Sequence, residues 1–162
     1  VTAESLPILA SLPKVKAIKV STADAGYILD LCWAIADNED FAHITGNETA
    51  FYAGLCVGSK AVIGQGACLN PSILKAVQER FKQGDHRGAI QAQRSVNLLV
   101  EKSINPVEFL KRYFAEKGYS MHPTARSVKS NPYLRESPPL TQEEYESFKR
   151  LLEQELAKYA HG

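Results

Sequence analysis

The first half of the chain repeats one pattern three times: a short apolar run, a small polar cluster and an apolar helical stretch. The predicted strands are residues 15–20, 41–45 and 60–63, and the predicted helices are residues 25–37, 50–57 and 71–83. Strands that alternate with helices pair in parallel through right-handed crossovers. The pattern therefore predicts an α/β fold whose ligand-binding loops lie beyond the carboxyl ends of the strands.

The second half of the chain is predicted to be helical. Helices are expected over residues 85–102, 105–118 and 141–159, and residues 119–140 form an irregular, proline-rich connector. Thr141 with Glu144 three residues later is the pattern of a capping box at the start of the last helix. The predicted domains are residues 1–84, with three β/α units, and residues 85–162, a helical extension.

Charge and cysteine content exclude several classes of function. The 162 residues include 19 Lys and Arg against 18 Asp and Glu, so the chain lacks the basic surface that nucleic acids or anionic membranes need. Three widely spaced cysteines indicate neither a disulfide framework nor a metal site. No apolar stretch approaches the roughly 20 residues of a membrane span. We therefore expect a cytoplasmic protein whose partners are small molecules or other protein chains.

Lys19 lies near the end of the first predicted strand, among apolar residues. A buried ammonium group without a partner is unfavourable, and desolvation favours the neutral amine. A neutral amine attacks ketones and gives an iminium ion, which allows a carbon–carbon bond to form or break. The alternative is a lysine at a strand end that extends its ammonium group to water. The strand alone leaves both interpretations open.

Three ordered motifs carry a resemblance to a known family. Residues 17–24 (AIKVSTAD) resemble the Schiff-base lysine strand of the dihydrodipicolinate synthase and N-acetylneuraminate lyase family. Residues 44–48 (ITGNE) resemble the family's next strand end. Residues 55–64 (LCVGSKAVIG) are similar to its Gly-Ala-x-Gly-x-Ile-Ser/Gly signature, and Asn70-Pro71 continues the match. The resemblance covers essentially the whole chain and favours Lys19 as the Schiff-base position.

Four residues depart from the family pattern. Ala17 and Ala23 replace common glycines, Cys68 stands where many members have Asn, and Gln65 replaces a small residue. These departures put the subfamily and the activity in question more than the fold.

The resemblance implies that the three units are the last three strands of a (β/α)8 TIM barrel, followed by a C-terminal helical region. A barrel needs eight strands and roughly 250 residues, so the first five strands would lie outside this sequence. With them would lie the family's Gly-Thr-Thr-Gly-Glu type loop and its proton-shuttling Tyr. We therefore expect a part of a longer enzyme, inactive alone, whose open strand edges aggregate, dimerise or pair with the missing N-terminal half.

The resemblance also implies a division of roles. The amine of Lys19 attacks the C2 carbonyl of pyruvate or of a 2-keto acid, and Gly46 and Gly64 let the substrate approach the backbone closely. Ser21 and Glu48 match positions that contact substrate hydroxyls.

Gln65 is a further candidate beside the substrate. The alternatives are an ordinary strand-end hydroxyl for Ser21 and a solvated acid at a helix N-terminus for Glu48. Neither a metal nor a cofactor is expected, because the four histidines lack ligand-like spacing and residues 64–66 (GQG) lack a nucleotide motif.

The leading hypothesis is a lyase or aldolase that joins or cleaves pyruvate and an aldehyde, with a substrate resembling a sugar acid. A condensation like that of dihydrodipicolinate synthase, a non-catalytic remnant of the scaffold and an unrelated doubly wound binding domain are the alternatives. The resemblance implies a homo-oligomer, specifically a homotetramer.

Overall fold

Strands and helices alternate through the first part of the chain in the structure, a computed structural model that describes residues 1–122 and 138–160. The strands are β1 (Ala17–Val20), β2 (Ala42–Thr45) and β3 (Ala61–Val62). The helices are α1 (Leu6–Ala10), α2 (Ala25–Ala34), α3 (Phe51–Cys56), α4 (Pro71–Lys82), α5 (His86–Lys102), α6 (Pro106–Glu116) and α7 (Gln142–Ala157). Short 3-10 turns at Glu48–Ala50 and Gly66–Cys68 follow β2 and β3.

The three strands form one parallel sheet in the order β1-β2-β3. Lys19 pairs with Ile44, and Ile44 pairs with Ala61. Because side chains alternate between the faces of a strand, these three residues share one face of the sheet. The α/β fold with parallel strands that the sequence predicts is confirmed.

The opposite face of the sheet packs against helices. Ile18 and Val20 of β1 contact a buried cluster that joins α1, α2 and the residues before β2: Leu6, Leu31, Ile35 and Phe41. Helix α1 was not among the predicted helices, because its five residues are too few for an apolar period. Its Leu6 is nevertheless fully buried and closes this cluster.

Several boundaries differ from the predicted ones. Helix α2 ends at Ala34 rather than at residue 37, because Ile35 leaves the helical conformation at φ −119° and ψ 12°. The stretch predicted as a helix from residue 50 begins earlier, with the 3-10 turn at Glu48.

The chain divides into two compact units, of which one comprises Val1–Asn97 and the other begins at Leu98. The predicted boundary after residue 84 lies before α5, whereas this division falls within that helix.

The capping box at Thr141 and Glu144 is confirmed. Of the predicted connector, residues 123–137 lie outside the described residues. None of the helices in the described ranges is both long and apolar enough to traverse a bilayer.

Candidate active site

The carboxyl ends of β1 and β2 bring Lys19, Ser21 and Gly46 together. Val20 pairs with Thr45, and the backbone N–H of Gly46 donates to the carbonyl of Val20 at 2.7 Å. A β-carbon on Gly46 would lie 2.5 Å from Cε of Lys19 and 2.6 Å from Oγ of Ser21. The absence of a side chain at Gly46 therefore makes room for the Lys19 stem and the Ser21 hydroxyl.

Lys19 is exposed, contrary to the buried ammonium group that the apolar strand suggests. It lies on the face of the sheet opposite the one that packs on Leu6 and Leu31. Its neighbours Ile44 and Ala61 on this face are half-buried, and Ile63, two residues further, is 53% exposed. Within the described residues this face is therefore only partly covered, and the environment of the amine is set by solvent.

Glu48 lies at the start of the 3-10 turn after β2, and it is 6% exposed. Its Oε1 accepts hydrogen bonds from the backbone N–H of Gly66 at 2.6 Å and from that of Ala67 at 3.3 Å. Burial raises the pKa of Glu48, and these two hydrogen bonds oppose the rise. The alternative of a solvated acid at this position is therefore wrong.

Gly64 and Gly66 border the Glu48 carboxyl group closely. A β-carbon on Gly64 would collide with that carboxyl group, and one on Gly66 would lie 2.5 Å from its Oε2. The carboxylate thus fills the space that glycine leaves at both positions and links the loop after β2 to the loop after β3. Gln65 between them is exposed.

Sequence reasoning missed a polar cluster behind β2. His43 and Thr45, on the helix-facing side of the strand, both contact Oγ of Ser59, at 3.1 Å from Nδ1 of His43 and 2.8 Å from Oγ1 of Thr45. All three residues are buried. Their spacing of two residues in a predicted strand indicates that His43 and Thr45 share a face. The sequence does not indicate that Ser59 contacts them, because its position depends on how the chain folds between α3 and β3.

Gln93 of α5 is a second buried polar residue that no sequence pattern indicates. Its side-chain amide bonds to backbone groups of Glu48 and Tyr52, which precede it in the chain by 45 and 41 residues. No local pattern in a sequence predicts a contact at such a separation.

The part of the chain that the structure describes contains no group of histidine, cysteine and acidic residues able to hold a metal ion. Cys32, Cys56 and Cys68 are free thiols.

Comparisons with known proteins agree with the resemblance. The model of the dihydrodipicolinate synthetase family matches residues 1–155. No curated protein matches the chain. A prophage protein of the dihydrodipicolinic acid synthase family from E. coli K12, solved in complex with pyruvate, is 16% identical with a TM-score of 0.72, over 95% of this chain and 51% of that one.

Two further solved structures are similar. N-acetylneuraminate lyase from Mycoplasma synoviae is 19% identical with a TM-score of 0.69, over 99% of this chain and 50% of that one. A catalytic lysine mutant of the Ruminococcus gnavus sialic acid aldolase is 16% identical with a TM-score of 0.72, over 96% of this chain and 50% of that one. The chain thus spans about half the length of these proteins, and the likeness concerns the fold.

Proposed function

Because the chain belongs to the dihydrodipicolinate synthetase family, we propose that it contributes the Schiff-base lysine to a class I aldolase or lyase. The observation that carries the proposal is the close approach of both the Lys19 stem and the Ser21 hydroxyl to Gly46, at the carboxyl ends of two parallel strands. This is the edge at which barrel enzymes of this type hold their substrates.

The corresponding architecture is the last part of a (β/α)8 barrel. In this proposal β1, β2 and β3 are its final three strands, and the helices from α5 onward form the C-terminal region. The parallel order of the strands and the coverage of about half of each similar solved chain support this assignment. The missing strands would cover the face of the sheet that carries Lys19, and their apolar side chains would desolvate its amine.

The reaction begins when the neutral amine of Lys19 adds to the C2 carbonyl of pyruvate or of a 2-keto acid. Loss of water from the carbinolamine gives an iminium ion, which acts as an electron sink. In the cleavage direction the C3–C4 bond breaks, its electrons form an enamine, and the aldehyde leaves as the C4 hydroxyl loses its proton. Protonation at C3 and hydrolysis then release pyruvate and regenerate the amine.

The remaining candidates are assigned to the aldehyde portion of the substrate. Ser21 is exposed beside the Lys19 stem and offers a hydroxyl. Glu48 holds a carboxylate at the junction of two rim loops, where Oε2 can accept from a substrate hydroxyl while Oε1 stays on the backbone of Gly66 and Ala67. Gln65 is exposed on the same loop. Hydroxylated substrates, such as sugar acids, suit these groups.

The protons in this scheme need an acid–base group, which the proposal places in the part of the barrel outside this sequence. A positioned proton donor contributes roughly 10² to 10⁴ in rate. Lys19 by itself would therefore form the iminium ion slowly, and the isolated chain is expected to be inactive. The family's chemistry uses the covalent lysine–pyruvate adduct and no metal or other cofactor.

Reductive trapping tests the proposal. The complete protein is incubated with pyruvate and borohydride, and the adduct is mapped by mass spectrometry. Modification of Lys19 is expected, and Lys19→Ala should abolish it. Lys16→Ala, at the opposite end of the same strand region, is the matched control and should keep the adduct. A wild-type protein that remains unmodified, or an adduct that survives Lys19→Ala, would contradict the assignment.

The same experiment separates the two catalytic hypotheses from the non-catalytic scaffold, but not from each other. A condensation like that of dihydrodipicolinate synthase gives the same pyruvate adduct and differs in the aldehyde consumed, whereas a non-catalytic scaffold gives no adduct.

We also place a homo-oligomer, specifically a homotetramer, within this proposal. The exposure of large apolar side chains on α2, with Leu29 at 46% and Trp33 at 79%, supports association with a second chain.

A further inference from the structure

The backbone changes conformation between the 3-10 turn Glu48–Ala50 and helix α3. Ala50 lies at φ −101° and ψ 7°, outside the range of a regular α-helix. The carbonyl of Glu48 accepts a hydrogen bond from the N–H of Phe51, three residues on, which is the pattern of a 3-10 turn. In a continuous α-helix that carbonyl would instead accept from Tyr52, four residues on.

Gln93 bridges the two groups that such a helix would join. Its Nε2 donates to the carbonyl of Glu48 at 2.8 Å, and its Oε1 accepts from the backbone N–H of Tyr52 at 2.8 Å. Its second N–H donates to Oδ1 of Asn97 at 2.8 Å, which fixes the orientation of the amide. Gln93 is 7% exposed, so these bonds form away from water.

We propose that Gln93 is a positioning residue of the active site: its inserted amide holds the turn after β2 in the conformation that points the Glu48 carboxylate at Gly66 and Ala67. Without the insertion, Tyr52 can bond directly to the Glu48 carbonyl. The first turn of α3 would then extend back to Glu48 and rotate its side chain away from the loop after β3. The proposal deepens the proposed function, since it concerns a group assigned to the aldehyde portion of the substrate.

Hydrogen exchange in the complete protein measures the effect. The readout is the exchange rate of the backbone amides of Gly66 and Ala67, whose acceptor is Glu48, relative to that of Val77 in α4. Gln93→Met keeps the length of the side chain but removes its hydrogen bonds. We expect exchange at Gly66 and Ala67 to quicken by about tenfold or more while Val77 stays within about twofold. Gln91 is exposed on the same helix, and Gln91→Met should leave the exchange rates of Gly66, Ala67 and Val77 unchanged.

A second variant guards against a failure of Gln93→Met to fold. Gln93→Glu keeps an acceptor for Tyr52 but has no donor for the Glu48 carbonyl, so Gly66 and Ala67 should again exchange faster while Tyr52 remains protected. Unchanged rates at Gly66 and Ala67 would overturn the proposal. An equal acceleration at Val77 would also overturn it, because it would show general destabilisation.

Trapping with two probes connects this role to the reaction. For Gln93→Met we expect the half-saturating concentration of N-acetylneuraminate to rise by about tenfold, and that of pyruvate, which lacks the hydroxylated portion, to stay within about twofold. If the half-saturating concentration of N-acetylneuraminate is the same in wild type and Gln93→Met, Gln93 has no role in positioning the active site. If wild-type protein forms no pyruvate adduct, the proposed function fails, while the exchange comparison still decides whether Gln93 positions Glu48.

Discussion

His43 is a buried titratable residue that the proposed reaction does not use. It is 1% exposed, its Nδ1 contacts Ser59, and its Nε2 has no hydrogen-bond partner among the described residues. Burial lowers the pKa of His43 below its usual 6.5, because the charged imidazolium would lose its hydration. The folded chain therefore holds this residue neutral at a pH at which the unfolded chain already binds a proton.

The sign of the resulting pH dependence follows from proton binding. Below pH 6.5 the unfolded state takes up a proton that the folded state refuses, so His43 makes the protein less stable as the pH falls, by at most about 1.4 kcal/mol per pH unit. Glu48 acts in the opposite sense, because its raised pKa lets the folded state bind a proton before the unfolded state does. The two effects on the free energy of unfolding oppose each other, and only a variant can separate them.

His43→Asn should remove the part of the pH dependence of the free energy of unfolding that His43 causes. The asparagine amide can replace the contact of Nδ1 with Ser59, but it does not titrate. We expect the variant to be less stable than wild type at pH 8, through lost packing, and to lose less of its free energy of unfolding between pH 7 and pH 5. Urea denaturation at several pH values measures this difference. Parallel profiles for His43→Asn and wild type would contradict the assignment.

Individual residues also mark how far the sequence could predict the site. The motif around Lys19 correctly indicates a strand, and the register brings Gly46 beside it, since strand pairing follows from the order of the units. The strand alone could not decide between a buried and an exposed Lys19, because burial depends on what covers the sheet; among the described residues Lys19 is exposed. The contact of Gln93 with Glu48 could not be predicted, as it joins segments far apart in the sequence.

At the level of whole elements, the predicted strands and long helices are confirmed, because local signals specify them. Asp24, Asn105 and Thr141 each accept a backbone N–H at a helix start, as expected of capping residues. Short elements were missed: α1 and the two 3-10 turns contain too few residues for a period, and tertiary contacts such as Leu6 with its cluster stabilise them.

The capping box of α7 permits a test of one helix start. Oγ1 of Thr141 accepts from the N–H of Glu144 at 3.2 Å, and Oε2 of Glu144 accepts from the N–H of Thr141 at 2.8 Å. Thr141→Ala removes the first bond and should lower the free energy of unfolding by about 1 kcal/mol. Thr141→Ser retains the hydroxyl and should stay close to wild type in urea denaturation. Equal destabilisation by both variants would show that the methyl group, not the cap, is responsible.

On the scale of the whole molecule, the sheet has unpaired edges and a partly uncovered face among the described residues. β1 and β3 each pair on one side only among these residues, and the face that carries Lys19 and Ile44 is partly uncovered. Unpaired strand edges bind other strands readily. Counting strands in the sequence was enough to predict these open edges, because three parallel strands cannot close into a barrel. What covers this face could not be predicted, since the burial of a sheet depends on the segments packed against it and not on the strands themselves.

The proposed barrel makes the last prediction. Expressed alone, the chain of 162 residues and 17.9 kDa should self-associate through its open edges and should show no Lys19 adduct with pyruvate and borohydride. Coexpression with the N-terminal part of the complete protein should pair the edges, bury the face around Lys19 and restore both a defined assembly and the adduct. Sedimentation velocity and mass spectrometry follow the two changes. A monomeric isolated chain would mean that its edges are already protected, and the missing strands would then not be needed to complete the fold.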